Sequence, residues 1–289
     1  MTLNFSTQEE RNLFIKSVLS FFIIQLIGLF LGWWLVLKEK VGKYYQVAHF
    51  DWCYFLFTFI SFTLVLWLLS KLFKRNGFFK FIFALLIVWG AHFVFSYFLT
   101  MPLSLALAIV FMIIYFFYPR LIIHNLVISF LVWAAGILLG LSMQLFDILI
   151  VLLVLVIYDF IAVRKSQYMV GLFKNLSQRG LFLALVIPRK SDFYFHHLVS
   201  LKRNVSLGEK GEKDFVFLGS GDLVFPLIFS VAALKFNLAC SLFSFLGGVG
   251  GFALASYLLL KEKRPLPGLP FLVLGNLIGF LFGFYIFYL

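Results

Sequence analysis

Charge is scarce in this chain. Only 12% of its residues are Asp, Glu, Lys or Arg, where a soluble globular domain carries about a quarter. Hydrophobic residues make up 63% and mean hydropathy is +1.04, so there is too little polar surface to cover a water-exposed globule of 289 residues. That excludes a soluble enzyme or scaffold and leaves an integral membrane protein. Cysteine is almost missing. Cys53 and Cys240 lie within or beside apolar runs, which excludes a disulfide framework and a Cys-based metal cluster and leaves packing as their expected role. No His-Glu-x-x-His occurs, and the in-span His92 has no matching ligand cluster, so neither a metal nor any other cofactor is expected. The first ten residues are polar and include Glu9 and Glu10, without the basic n-region or small-residue cleavage site of a secretory signal. The first apolar run is therefore expected to be retained.

What the chain does have is apolar runs of the length, about 20 residues, that spans hydrocarbon. Nine occur, at roughly 13–37, 52–73, 78–99, 102–119, 121–141, 145–163, 216–234, 238–260 and 266–288. The expectation is an all-α polytopic membrane protein, a single membrane domain over 1–289. Helices one to six occupy 1–163, a connection covers 164–215, and helices seven to nine fill 216–289. Pro102 and Pro119 mark very short turns, since proline starts a helix readily and disfavours helix for the residue before it.

The net charge of +12 would suggest nucleic acid in a soluble protein. Here the placement of the charges answers the question. With the N-terminus inside, 20 of the 24 basic residues fall on the cytoplasmic side, and only Lys38, Lys40, Lys43 and Lys235 fall outside. This asymmetry predicts a cytoplasmic N-terminus, an external C-terminus and contact with anionic lipid rather than nucleic acid.

The same topology sorts the acids. Asp159 ends the sixth run just before Arg164 and Lys165, and Asp222 opens the seventh just after Lys213 and Asp214. The two runs cross in opposite directions, so both carboxylates lie about one turn inside the same boundary, where an acid is a functional-site candidate. Asp147, twelve residues before Asp159, is about 18 Å away along a helix and belongs near the opposite surface. The 164–215 connection should hold an amphipathic interfacial helix over 166–178 and a flexible stretch over 191–213. Two short strands are expected, at 181–187 and 214–218, the second running directly into Gly219. A sheet beside the acids would let an unwound substrate add as a third strand. A loop with two apolar patches is the plainer alternative. Gly247, Gly248, Gly250 and Gly251 suit close helix packing. Pro265, Pro267 and Pro270 make a stiff non-helical segment, either a connection or a rim beside the acids.

Two facing carboxylates share one proton. The ionised member takes a proton from water as the water attacks a peptide carbonyl, and the protonated member hydrogen-bonds the developing oxyanion. Gly219 and Gly221 would let a substrate backbone approach and permit unusual dihedrals. Pro226, four residues after Asp222, denies that residue's carbonyl its helical partner and should loosen the helix there. The plainer reading of each acid is a helix-end residue, with Asp222 as an N-cap. Asp159 fits it poorly, because a helix C-terminus disfavours negative charge unless Arg164 compensates.

At Tyr158-Asp159, Gly219-Ser220-Gly221-Asp222 and Pro267-Gly268-Leu269-Pro270 the chain resembles the presenilin and signal-peptide-peptidase family of intramembrane aspartyl proteases, in particular its microbial homologues. The order of these motifs and the nine runs extend the likeness along essentially the whole chain. Gly268 departs from the family's usual alanine and implies a looser rim. The resemblance implies that Asp159 and Asp222 are catalytic and that Tyr158, Gly219, Gly221, Pro267, Gly268, Leu269 and Pro270 line or position substrate. It further implies that the substrates are transmembrane helices of other proteins within the bilayer. An oligomer and accessory subunits are both compatible with it. The rival function is a secondary transporter or ion pathway that uses intramembrane carboxylates. Against that rival, no repeat of the broken segments is evident between the two halves. Leu218 breaks the Gly-x-Ser-Gly pattern of rhomboid-type serine proteases at Ser220.

Overall fold

The computed structural model describes residues 8–41, 51–72, 76–161, 183–189, 215–262 and 266–288. Within them the chain forms helices α1 (Gln8–Val41), α2 (Trp52–Leu72), α3 (Asn76–Phe95), α4 (Met101–Phe117), α5 (Leu121–Ser142) and α6 (Leu145–Ile161), strands β1 (Ala184–Pro188) and β2 (Phe215–Gly219), then α7 (Ser220–Ala233), α8 (Leu238–Glu262) and α9 (Leu269–Tyr288). The helices follow the nine apolar runs, with two departures. The seventh run, 216–234, starts as a strand and turns helical at Ser220, and the ninth, 266–288, has three non-helical residues before Leu269. Both departures have local causes. Phe215, Val216 and Phe217 favour strand, while Pro267 and Pro270 withhold backbone donors and fit only the start of a helix. The interfacial helix expected over 166–178, the 191–213 stretch, and Arg164, Asp214 and Pro265 lie outside the described residues.

The chain is overwhelmingly helical, and one small sheet stands beside the helices. β1 and β2 pair antiparallel, with Ala184 opposite Gly219 and Pro188 opposite Phe215. The strands lie close to the expected 181–187 and 214–218, so the loop alternative falls away.

Among the described residues, five helices are long and apolar enough to cross a membrane: Gln8–Lys38, Gly77–Phe95, Leu121–Ser142, Leu238–Lys261 and Leu269–Tyr288. Shorter apolar helices cover Trp52–Val65, Met101–Phe117 and Ser220–Ala233. With 14 residues, α7 rises only about 21 Å, less than the ~30 Å hydrocarbon core. β2 leads directly into its start, at one end of the bundle. Side chains from α1, α5 and β1 place the N-termini of α1 and α5 at this same end, through Lys16 Nζ donating to the Arg189 carbonyl at 2.7 Å and Asn125 Nδ2 donating to that of Val186 at 2.8 Å. At the other end Lys235 Nζ donates to the Met143 carbonyl at 2.6 Å and Tyr288 Oη to that of Phe236 at 2.9 Å. α1, α5, α7 and α9 therefore run in the same direction.

α7 is the axis of the bundle. Leu223, Leu227, Phe229, Val231, Ala232 and Ala233 are all fully buried, and α1, α5, α6, α8 and α9 pack around them. The approach of α1 and α5 depends on glycine. A Cβ on either Gly28 or Gly136 would lie 2.6 Å from Leu227 Cδ2, and one on Gly140 would lie 2.8 Å from the Ile228 carbonyl. Pro226 inside α7 removes the donor for the Asp222 carbonyl, and side-chain amides bond the backbone on either side of that break. Gln25 Nε2 from α1 donates to the Leu223 carbonyl at 2.6 Å, and Asn276 Nδ2 from α9 donates to that of Pro226 at 2.8 Å. The loosening expected at the acid is thus countered by partners from two neighbouring helices.

The tightest pair is α8 with α9. Side chains added at Gly247 and Gly251 would collide with the carbonyls of Gly275 and Phe271, and side chains added at Gly275 and Gly279 with those of Gly247 and Phe243. Gly248 sits against the amide oxygen of Asn276. Of the four glycines expected to pack, Gly250 alone faces open space. Of the two cysteines, Cys240 is buried as expected and Cys53 is exposed. α2 packs chiefly on α6 and exposes Phe57 and Ile60, side chains suited to lipid.

Gly251→Ala should destabilise the protein by about 1–3 kcal/mol, as overpacking does. Gly250→Ala should stay within about 0.5 kcal/mol. Thermal unfolding in detergent separates the two.

Candidate active site

Asp159 lies in the last turn of α6, where the helix's own dipole opposes a carboxylate. The structure answers this with the start of another helix. Leu269, the first residue of α9, donates its backbone N–H to Asp159 Oδ2 at 3.3 Å. That N–H has no partner within its own helix, and an N-terminus favours an anion. The start of α9 thus supplies Asp159 with a partner.

Asp222 is the third residue of α7. The N-cap position belongs to Gly219, and no side chain makes a capping bond there, so Asp222 does not cap its own helix. Its carboxyl folds back over Gly219, where an added Cβ would lie 3.3 Å from Oδ2. The expectation of unusual dihedrals is corrected: Gly219 has φ −56° and ψ 137°, and Gly221 has no positive φ. What Gly219 contributes is room beside the carboxyl. An added Cβ on Gly221 would touch the Phe225 ring at 3.4 Å.

The two acids converge on one peptide unit, Gly268–Leu269. Its N–H holds Asp159, and a Cβ built on Gly268 would stand 3.5 Å from Asp222 Oδ1. That spacing is ordinary van der Waals contact, so alanine is accommodated at 268 and glycine leaves the rim slightly more open. Asp222 lies within electrostatic reach of Asp159. The non-helical segment before α9 is thus a rim beside the acids rather than a plain connection. Asp147 sits in the first turn of α6, at the far end from Asp159.

Asp222 also borders a cleft of about 120 Å³. Phe14 and Ser17 of α1, Phe217 of β2, Leu260 of α8 and Gly268 contribute to its walls, which are mainly apolar. The other residues read from the motifs are placed less uniformly. Tyr158 is 50% exposed on the outer side of α6, next to Asp159 but turned away from the packed core. The Leu269 side chain is only 4% exposed and packs with α6 and α7, so it is the backbone of Leu269 that meets an acid. Pro267 is buried and Pro270 half-buried.

Several polar residues near the site were not singled out by the sequence reasoning. Gln25 and Asn276 brace α7, and His124 and Asn125 hold β1. The available signal was an uncharged polar or imidazole side chain inside an apolar run. Attention to carboxylates and motifs passed over it.

Among known proteins, the family model described as signal-peptide peptidase, presenilin aspartyl protease matches residues 19–289. A solved presenilin family intramembrane aspartate protease in a C222 crystal form is similar, with 20% identity and a TM-score of 0.64 over 93% of this chain and 99% of that one. A P2 crystal form of a presenilin family intramembrane aspartate protease gives 20% identity and a TM-score of 0.62 over 92% and 96%. At this identity the structures establish a shared fold. No curated protein matches the sequence. The family match spans nearly all of a multi-pass membrane chain in which two acids from separate helices meet at one peptide unit, and the chain therefore belongs to the signal-peptide-peptidase and presenilin family of intramembrane aspartyl proteases.

Proposed function

We propose that Asp159 and Asp222 are the catalytic pair and that they hydrolyse peptide bonds within transmembrane helices of other membrane proteins. The observation that carries this reading is their convergence on Gly268–Leu269: Asp159 accepts a hydrogen bond from the Leu269 N–H, and Asp222 stands beside Gly268, where an added Cβ would lie 3.5 Å from Oδ1. One carboxylate accepts a proton from water as the water oxygen bonds to the scissile carbonyl carbon, while the protonated partner donates to the carbonyl oxygen. Collapse of the tetrahedral intermediate breaks the C–N bond and returns a proton to the leaving amine.

Gly219 and Gly221 leave room for a substrate backbone, and β2 offers a strand along which an unwound substrate pairs. Pro267, Gly268 and Pro270 form a stiff rim, Leu269 holds Asp159 through its N–H, and Tyr158 meets substrate from the exposed side of α6. The nine described helices belong to one membrane domain and cross the bilayer, with shorter α7 completed by β2 and the rim. The N-terminus is cytoplasmic and the C-terminus external, a reading supported by the distribution of basic residues.

Asp159→Asn and Asp222→Asn should each lower cleavage of a transmembrane peptide at least about a thousandfold without loss of fold, and the double variant should be no worse. Asp147→Asn should remain close to wild type. Leu269→Ala should fall between, losing on the order of tenfold as Asp159's partner shifts. Purified variants in liposomes, checked by thermal unfolding, give the comparison, and near-normal cleavage by Asp159→Asn would refute the pair.

Orientation is tested separately. A cysteine introduced in 191–213 should react with an impermeant reagent only from the cytoplasmic face, and labelling from outside alone would reverse the topology.

A further inference from the structure

β1 is held by the helix bundle rather than by its neighbouring strand alone. Asn125 of α5 makes both hydrogen bonds that a paired strand would make to Val186: Nδ2 donates to the Val186 carbonyl at 2.8 Å, and the Val186 N–H donates to Oδ1 at 3.0 Å. One helical residue earlier, fully buried His124 donates from Nε2 to the Ala184 carbonyl at 3.1 Å. Lys16 of α1 binds the Arg189 carbonyl at 2.7 Å just beyond the strand. His124 and Asn125 meet β1 at alternate residues 184 and 186, on the side away from β2, and Lys16 holds the chain at 189, just beyond the strand.

Strand geometry turns this into a statement about register. In an antiparallel pair a residue's N–H and C=O both face the partner or both face away. Val186 is committed to Asn125, so Leu185 and Ile187 must serve Leu218 and Val216. The parity of β2 follows from β1, which places the N–H and C=O of Phe217 on the side of β2 remote from β1. A slip of one residue would reverse every side chain on the strand and strip Asn125 of both bonds. β2 then runs through Gly219 into Asp222, and Phe217 lines the cleft that Asp222 borders.

We propose that Asn125, seconded by His124 and Lys16, is a positioning residue that fixes the β1–β2 sheet as a rigid platform and thereby determines which peptide bond of a bound substrate reaches the acids. This rests on the protease reading above. The residue touches neither substrate nor acid; it acts through β1. Without it β1 keeps only the His124 and Lys16 bonds to the helices, β2 rests on a looser strand, and a substrate pairing along it settles in more than one register.

The test is the distribution of cleavage products. Wild type, Asn125→Asp and Asn125→Ala are incubated in liposomes with one transmembrane peptide, and products are assigned by mass. Asn125→Asp keeps the side chain's shape and loses the donor to Val186, so it carries the test if Asn125→Ala fails to fold. Product proportions are counted per cut and do not depend on the folded fraction. Both variants should raise products cut two residues from the wild-type site, the step that preserves side-chain facing. KM should rise about fivefold, with kcat changed less. A residue that merely stabilises the fold lowers the amount of product and leaves proportions and KM unchanged, and that result overturns the proposal. So does a variant that unfolds like wild type yet cuts nothing. Absence of cleavage by wild type itself would instead overturn the protease reading on which the proposal stands.

Discussion

The structure depends on how a short, broken helix is kept satisfied where water is scarce. A carboxyl or a backbone carbonyl left without a partner in hydrocarbon costs several kcal/mol, and α7 presents both, with Asp222 in its first turn and Pro226 withholding a donor from the carbonyl of that same residue. The surrounding helices brace α7 on either side of that break. α1 and α9 send buried amides to the carbonyls of Leu223 and Pro226, and α1 and α5 carry glycines where Leu227 and Val231 press in. The helix that bears one acid is therefore the most enclosed element in the bundle.

The second acid follows the same logic from the opposite side. Asp159 ends a helix where its charge is unfavourable, and the start of α9 supplies the partner. For that to happen α9 must begin at the depth of both acids, which the proline-bearing segment before it enforces. It must also be locked to α8, which the facing glycines achieve through backbone contact. Asn276 ties α9 to α7 through both the Pro226 carbonyl and Ser230 Oγ. The result couples the two acid-bearing helices through α9 rather than by direct packing alone.

Much of this was legible in the sequence, for reasons that differ by feature. Helix positions came through because long apolar runs set a strong periodicity-independent signal, and Asp159 and Asp222 stood out because ionised side chains are expensive in such runs. The small sheet was readable from the β-forming run ahead of Gly219. The partner of Asp159 was not, because a backbone N–H from a helix 110 residues away carries no side-chain signature. Gly219 was expected to serve by unusual dihedrals and serves by space, a distinction that only the path of the Asp222 side chain reveals. Gln25, Asn125 and Asn276 are ordinary polar residues until the carbonyls they meet are known.

The central claim is that Asp159 and Asp222 together recognise the tetrahedral species formed when water adds to a peptide carbonyl. It is tested most directly by the affinity of a substrate peptide whose scissile carbonyl is replaced by a tetrahedral alcohol, compared with the unmodified peptide. Wild type should bind the alcohol at least about a hundredfold more tightly, as an enzyme complementary to its transition state does, and Asp159→Asn and Asp222→Asn should each lose that advantage while retaining affinity for the unmodified peptide. An undiminished preference for the alcohol in either variant would contradict the account.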